Sequence, residues 1–400
     1  MKSETRIPFY LAWKYLRRGN KWTLLLTVFL MAVAFVNLIF ITSLFNGIID
    51  GTNKQIVNTM TGNIYVTPED GSDYIDNQSE VVYKIGKTDG VQAVSSEVFV
   101  PASLESNNHK GNWTVLAIDP NQEKKVTNVS EKMMSGSYLD PGDTDSIIIG
   151  RQIAGGAGVE ENAFSFKGAE VGDKVKLSLN GFEKVFTIKG IFYTKFLETD
   201  KRAFITKEAL SEMVLGIDDK SSTIIVKTRT GALESDVIDK LRTNGVNENI
   251  YTWSEVAGLM ASVATSFLSI NILMTFVGIL IAAITIFIIV YIDIVNKKRE
   301  IGILRAIGIK PYIIFCSYII QAAVYSVVGV ILGSAIFFAV LVPYFNLHPF
   351  VLPICDAVLV LSKTDFIARS ETIIWVAVFS ALIPSVAVTR SKILNAIFGK

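Results

Sequence analysis

Charge is scarce in this 400-residue chain. Asp, Glu, Lys and Arg make up 19% of it and half of the residues are hydrophobic; average soluble domains carry about a quarter charged residues. Cysteine and histidine are scarcer still, with two of each. Cys316 lies inside a long apolar stretch and Cys355 beyond it, too far apart along a membrane normal for a disulfide. The region 50–255 has no cysteine, and a domain of that size needs no staples. His109 and His348 join no Cys or carboxylate cluster with metal-ligand spacing. No serine is paired with a histidine in a nucleophile pattern. No Walker A motif is present: Gly86-Lys87-Thr88 is the nearest match, but Val81 stands at its leading glycine position. The glycine run Ala154–Gly158 does not fit G-x-G-x-x-G and reads as a flexible helix end. The sequence therefore offers no catalytic constellation, no metal site and no phosphate cradle.

The chain does have four long stretches without a single charge: Trp22–Ile49, Val256–Ile292, Pro311–Cys355 and Thr372–Thr389. A helix needs roughly 20 apolar residues to cross a bilayer core, so each qualifies as a spanning helix. The first exceeds a signal-peptide h-region and is followed by no small-residue cleavage site, so it reads as retained. Asp50–Glu255 holds 31 acidic and 22 basic residues, whereas the rest of the chain holds 6 and 16. Short Lys/Arg-rich loops stay in the cytoplasm. Those here are the N-terminal segment (Lys2, Arg6, Lys14, Arg17, Arg18, Lys21), the loop with Lys297, Lys298, Arg299, Arg305 and Lys310, and the tail with Arg390, Lys392 and Lys400. Both termini are then expected inside.

The expected layout is a cytoplasmic amphipathic segment (1–21), a first span (22–49) and an outside domain (50–255). A stalk and second span (256–292), a cytoplasmic coupling loop (293–311) and a third span (312–342) follow. An outside loop (343–371), a fourth span (372–389) and a cytoplasmic tail (390–400) complete it. The second stretch is too long for a bilayer: 37 helical residues would reach about 55 Å against ~30 Å of hydrocarbon, so its start should protrude as a stalk. The first helix should continue likewise through 51–60. Pro343, Pro349 and Pro353 are expected to stop the third helix near Val342. Gly329 and Gly333, four apart, suit close helix packing. Asn37, Asn271 and Gln321 are expected to face the bundle interior.

The outside region alternates strand-like runs (63–67, 113–118, 146–149, 174–179, 184–191, 202–205, 223–227) with helix-like ones. Thr206 is placed to cap a helix over 207–213. The run 231–243 presents Leu233, Val237, Ile238 and Leu241 on one face. Three glycosylation sequons, at Asn77, Asn112 and Asn128, fall in this region. The fold class is a four-helix membrane protein with an extracytoplasmic α+β domain.

The cytoplasmic loop carries a pattern that positive charge alone does not explain. It reads Asn296-Lys-Lys-Arg-Glu-Ile-Gly-Ile-Leu-Arg-Ala-Ile-Gly-Ile-Lys310-Pro311. Ile301, Leu304 and Ile307–Gly308 share one helical face, with Arg299, Glu300 and Arg305 elsewhere. Such a short helix, held parallel to the membrane, suits a cytoplasmic partner. The segment resembles the signature of the permeases related to the macrolide exporter MacB, to FtsX and to the lipoprotein-releasing Lol complex (type VII ABC transporters). Ser43-Leu-Phe-Asn46-Gly47, Gly62–Pro68, Ala117–Pro120, Ile149-Gly150-Arg151, Gly172–Leu177 and Tyr318–Gln321 are similar to the Lol permeases. The MacB branch usually has glutamate where this chain has Gln321, and carries a fused ATPase domain.

This resemblance implies a MacB-like periplasmic core domain, no catalytic residues in the chain and no cofactor bound directly, with ATP and Mg held by a cytoplasmic ABC ATPase subunit. It implies a second permease chain, the same or different, and a site in the cytoplasmic (inner) membrane. Lys298, Arg299, Glu300, Ile301, Gly302, Leu304, Arg305, Ala306 and Gly308 would couple to the ATPase. Apart from the resemblance, Phe40, Phe45, Met260, Phe267 and Met274, where stalks meet membrane, are candidates for an acyl-binding cleft or, equally, for helix packing. Extraction or release of a lipoprotein or other amphiphile is the function expected first. Peptide or drug efflux, or mechanotransmission to an extracytoplasmic partner, is the alternative. Membrane lipid is an expected partner; nucleic acid is not.

Overall fold

Two compact units make up the chain in this computed structural model: residues 1–50, 265–350 and 356–400 form one, and 51–264 with 351–355 the other. Residues 6–18, 21–159, 162–179, 181–352 and 355–390 are described.

The first unit is helical because its residues are apolar in runs that satisfy every backbone group within the segment. Among the described residues, four helices are long and apolar enough to cross a membrane: Leu24–Thr61, Ser266–Asn296, Pro311–Leu347 and Lys363–Val386. The third runs past Pro343 instead of stopping before it. A π-helical turn, Phe337–Leu341, precedes the proline, which sits in the first turn of the next helical segment, Val342–Leu347. The proline has no N–H to give the helix ladder, and the π-helical turn directly ahead of it is the irregularity that lets the helix pass it. The fourth helix begins at Lys363, nine residues before its apolar stretch. Asp365 opens it: its backbone N–H donates to Ser362 Oγ, and Ser362 Oγ donates to Asp365 Oδ2.

Phe35, Ile39, Ile286, Ile294, Ile314, Tyr318, Phe337 and Ala377 are buried in one core. Gly329 and Gly333 face the first helix. A Cβ at Gly329 would stand 2.6 Å from Met31 Cβ, and one at Gly333 2.9 Å from the Ala32 carbonyl oxygen. The helices therefore touch along this seam at backbone distance. Gln321 is buried, its Nε2 donating to the Ser317 carbonyl, and Asn271 is buried as well. Asn37 departs from expectation and is exposed within this chain.

The Ser43–Gly47 motif has a visible job. The Ser43 carbonyl accepts from the Val360 N–H, and Asn46 Nδ2 donates to Asp365 Oδ2 at 2.9 Å. A Cβ at Gly47 would lie 1.7 Å from the Val358 carbonyl oxygen. The motif clips the segment 358–365 against the first helix, and only glycine permits that approach.

The second unit is α+β. Its main sheet has ten strands among the described residues: β1 (Ile64–Thr67), β2 (Val91–Ser106), β3 (His109–Ile118), β4 (Met133–Gly136), β5 (Ser146–Gly150), β6 (Lys174–Leu179), β7 (Phe182–Phe192), β8 (Arg202–Thr206), β9 (Thr223–Thr228) and β10 (Asn249–Thr252). Their order is β10-β1-β9-β2-β3-β8-β5-β7-β4, and β6 bridges β2 and β7. Pairs β3/β8 and β5/β7 are parallel. Several cores result among the described residues. One gathers Val98, Leu104, Phe166, Leu177 and Phe186. A second gathers Ile64, Ile85, Ile224, Val237 and Leu241, and a third Leu116, Ile118, Ile148, Phe192 and Phe204.

Strand β2 had no counterpart in the sequence pattern. Its polar positions Ser95, Ser96, Glu97, Ser103 and Glu105 hide the alternation, although the first three are buried. The helix Glu234–Thr243 buries Val237 and Leu241 but leaves Leu233, its N-cap, two-thirds exposed. Thr206 caps Lys207–Ser211 by accepting from the Ala209 N–H, as its position before the helix predicts.

The first long helix, Lys21–Ile56, ends in a π-helical turn, Val57–Thr61, before the chain enters β1. Gly62 makes the corner with φ +63°, and a Cβ there would meet the Val226 carbonyl oxygen at 2.7 Å. The helix end is held inside the second unit by Gln55 Nε2 donating to the Thr194 carbonyl, by a 2.9 Å hydroxyl pair between Thr59 and Thr199, and by Ile56 packed on Phe196.

Candidate coupling site

The segment expected to meet an ATPase is a helix, Lys298–Ala306. It opens at Lys297, whose carbonyl accepts from the Ile301 N–H at 2.9 Å. It ends at Gly308 with φ +97°, a left-handed closure that glycine adopts without strain. Pro311 at the start of the next helix prevents continuation.

The structure divides the nine expected coupling residues into two sets. Ile301 and Gly302 are buried, Ile301 at 1% exposure among the apolar core of the spanning helices. Leu304 is half-buried and packs on the same core, together with Ile309. Lys298 and Arg305 are half-buried, and Arg299, Glu300, Ala306 and Gly308 are exposed. The apolar face read from the sequence is thus split. Its Ile301–Leu304 half turns inward as an anchor, and Ile307 turns outward.

The outward surface holds two residues absent from the expected set, Ile303 at 45% and Ile307 at 75% exposure. Arg299, Glu300, Ala306 and Gly308 lie beside them in sequence on the same short helix and its closure. Two exposed isoleucines flanked by charges of both signs suit a protein contact better than open water. The missed signal was the four-residue spacing of Ile303 and Ile307, equal to that expected of a single helical face.

The N-terminal helix Arg6–Arg18 buries Leu11 and Ala12 and exposes Phe9, Tyr10 and Trp13. Its Tyr15 ring stacks on Tyr318 of the third spanning helix, with centroids 6.4 Å apart and an interplanar angle of 18°. Its inner face is therefore protein-covered, and its outer face carries the aromatics suited to a membrane interface.

The five expected cleft residues do not gather in one place. Phe45 and Phe267 meet, with ring centroids 6.2 Å apart. Phe40 instead packs on Phe345, which stacks on Phe350. Met274 is exposed on the second spanning helix. The Met260 side chain lies outside the described residues.

The outer unit contains buried charge that the sequence did not signal. Glu97 on β2 and Glu123 on the helix Pro120–Val126 are both buried. Burial and the neighbouring Glu123 carboxylate push the Glu97 carboxyl well above the usual range. Burial raises Glu123 too, opposed by hydrogen bonds from Ser95 Oγ (2.7 Å) and Thr127 Oγ1 (2.9 Å). On a separate cleft of about 280 Å³, lined by Gln78, Ser96, Asp119, Gln122 and Glu208 among others, sits Lys207. Burial lowers its ammonium to about 8, and it donates to Gln78 Oε1 and Ser96 Oγ. No group of His, Cys, Asp and Glu suited to a metal ion occurs among the described residues.

Two family models match the chain in succession. The MacB-like periplasmic core domain matches residues 24–244, and the FtsX-like permease C-terminal domain matches 272–393. The chain is 23% identical over 323 residues to the lipoprotein-releasing system transmembrane protein LolC of Neisseria meningitidis, covering 76% of this chain and 73% of that one. A second LolC, from Xylella fastidiosa, is 23% identical over 248 residues, covering 54% of this chain and 52% of that one. Among solved structures, the periplasmic region of MacB from Actinobacillus actinomycetemcomitans matches at 12% identity with a TM-score of 0.36, over 51% of this chain and 94% of that one. The extracellular domain of the Gram-positive ABC-type transporter YknZ matches at 14% with a TM-score of 0.35, over 48% and 97%. With one model covering more than half of it and the other most of the remainder, the chain belongs to the FtsX-like permeases with a MacB-like periplasmic core domain, the non-catalytic membrane components of MacB/FtsX/LolC-type ABC transporters.

Proposed function

We propose that this permease works with a separate cytoplasmic ATPase subunit docked on the outward face of residues 298–310, and that it extracts or releases a lipoprotein from the outer leaflet of the cytoplasmic membrane. The observation that carries the docking half is the division of the coupling helix. Ile301 is sunk in the bundle core, while Ile303 and Ile307 stand out beside Arg299 and Glu300. A helix anchored on one side and apolar on the other transmits a push better than a free loop. The lipoprotein half rests on similarity to two proteins named as lipoprotein-releasing LolC, and on the Phe45–Phe267 contact as an apolar platform. A cytoplasmic position for both termini is part of this reading, supported by the Lys and Arg of the N-terminal segment and the tail through the positive-inside rule. The working assembly has two permease chains and two ATPase subunits.

Reconstitution with the ATPase in liposomes tests the substrate. A photo-crosslinking residue at Phe45 or Phe267 should label a triacylated lipopeptide, and ATP should reduce the labelling. The same probe at Met274 should label bulk lipid regardless of ATP. Equal, ATP-insensitive labelling at all three positions contradicts lipoprotein release; ATP-driven uptake of a non-acylated peptide or drug supports efflux instead.

A further inference from the structure

We propose that the N-terminal helix is part of the coupling machinery, with Tyr15 and Lys297 as positioning residues that set the angle of the coupling helix. The inference rests on the reading of 298–310 as the docking segment and adds a second element to it. Lys297 is the residue on which that helix opens, since its carbonyl receives the Ile301 N–H. Its ammonium is tied to the preceding spanning helix, 2.8 Å from Asp293 Oδ1 and 2.9 Å from Oδ2, with both side chains under 20% exposed. The same ammonium lies 4.6 Å from the centre of the Tyr15 ring. Tyr15 in turn stacks on Tyr318, which is 2% exposed and packs in the core that receives Ile301.

One residue thus joins three elements at the point where the coupling helix begins. A shift of that helix moves the Lys297 carbonyl, and the side chain cannot follow without leaving the Tyr15 ring or dragging the N-terminal helix with it. A cation held by a carboxylate and covered by an aromatic face is a directional contact. Apolar packing alone would let the helix slide. The N-terminal helix is therefore a fixed wall against which the coupling helix turns, in addition to any interfacial anchoring by Phe9, Tyr10 and Trp13.

The test uses the full-length permease assembled with its ATPase in liposomes. The readout is the stimulation of ATP hydrolysis over the isolated ATPase subunit, with the bound ATPase stoichiometry measured alongside. Tyr15→Leu keeps apolar bulk and removes the ring. It should lower stimulation about five-fold, the equivalent of one cation–π contact of ~1 kcal/mol, with stoichiometry unchanged, and Tyr15→Phe should restore it. Lys297→Arg should behave as the parent, and Lys297→Gln as Tyr15→Leu. The double variant Tyr15→Leu/Lys297→Gln should be no worse than either single one. Full stimulation in Tyr15→Leu, a Tyr15→Phe protein as defective as Tyr15→Leu, or additive losses in the double variant would overturn the proposal. If Tyr15→Leu does not insert, the Lys297→Arg and Lys297→Gln pair decides alone: equal stimulation in both overturns it. Ile303→Asp serves as the control: if it keeps the ATPase bound, the docking reading fails instead.

Discussion

Gly47 shows how much a single position carries. Its Cβ would stand 1.7 Å from a backbone carbonyl oxygen, an atom that moves only if the segment 358–365 moves with it. Overpacking a close-packed site costs about 1–3 kcal/mol. Gly47→Ala should therefore lower the thermal midpoint of the detergent-solubilised protein, whereas Gly86→Ala, in a helix and with the nearest atom 4.0 Å from the added one, should change it far less. The buried carboxyls make a second residue-scale prediction. Burial raises Asp200 to about 6, even though Thr194 N–H and Oγ1–H both donate to its Oδ1, and Glu97 is pushed up in the same direction. A carboxyl raised above its unfolded value, ordinarily near 4, contributes stability that is complete below that value and is lost as pH rises through the raised one. The outer domain should thus gain stability as pH falls from 7.5 to 5.5. Asp200→Asn and Glu97→Gln should each flatten that dependence in thermal scans, and an unchanged slope in both would contradict the assignment of these groups.

At the scale of elements, the sequence was most legible where one physical term dominates. Long charge-free runs dictate spanning helices, because lipid leaves the backbone no other partner. The strands Lys174–Leu179 and Thr223–Thr228 were legible from β-branched and alternating residues. Strand Val91–Ser106 was not, since buried serines and Glu97 break its pattern and find their partners only in the folded sheet. The start of the fourth helix at Lys363 was hidden by its charged first turns, and the passage of the third helix beyond Pro343 by a π-helical turn that no composition announces. The helix Lys298–Ala306 was half legible: its existence followed from the pattern, but which isoleucine faces the core depends on the bundle around it. That division makes an element-scale prediction. Ile301→Asp buries a charge without a partner and should abolish the folded, membrane-inserted protein, the penalty being several kcal/mol. Ile303→Asp, on the exposed side, should insert and fold as the parent does, checked by detergent gel filtration. Gly333→Leu should resemble Ile301→Asp, because the first helix leaves no room for the side chain.

At the scale of the whole molecule, spanning helices make up one unit and the α+β domain the other. Family membership fixes the kind of machine, an ABC transporter permease. The structure adds an anchored helix with an outward apolar face, of the kind an energy-supplying partner needs. The central claim is that Ile303 and Ile307 form the contact with the ATPase. The most direct measurement is the amount of ATPase subunit that co-purifies with folded permease from detergent, together with the ATP hydrolysis of the complex. Ile303→Asp and Ile307→Asp should each yield a correctly folded permease with little bound ATPase and no stimulated hydrolysis. Parental stoichiometry and stimulated hydrolysis in both variants would contradict the account.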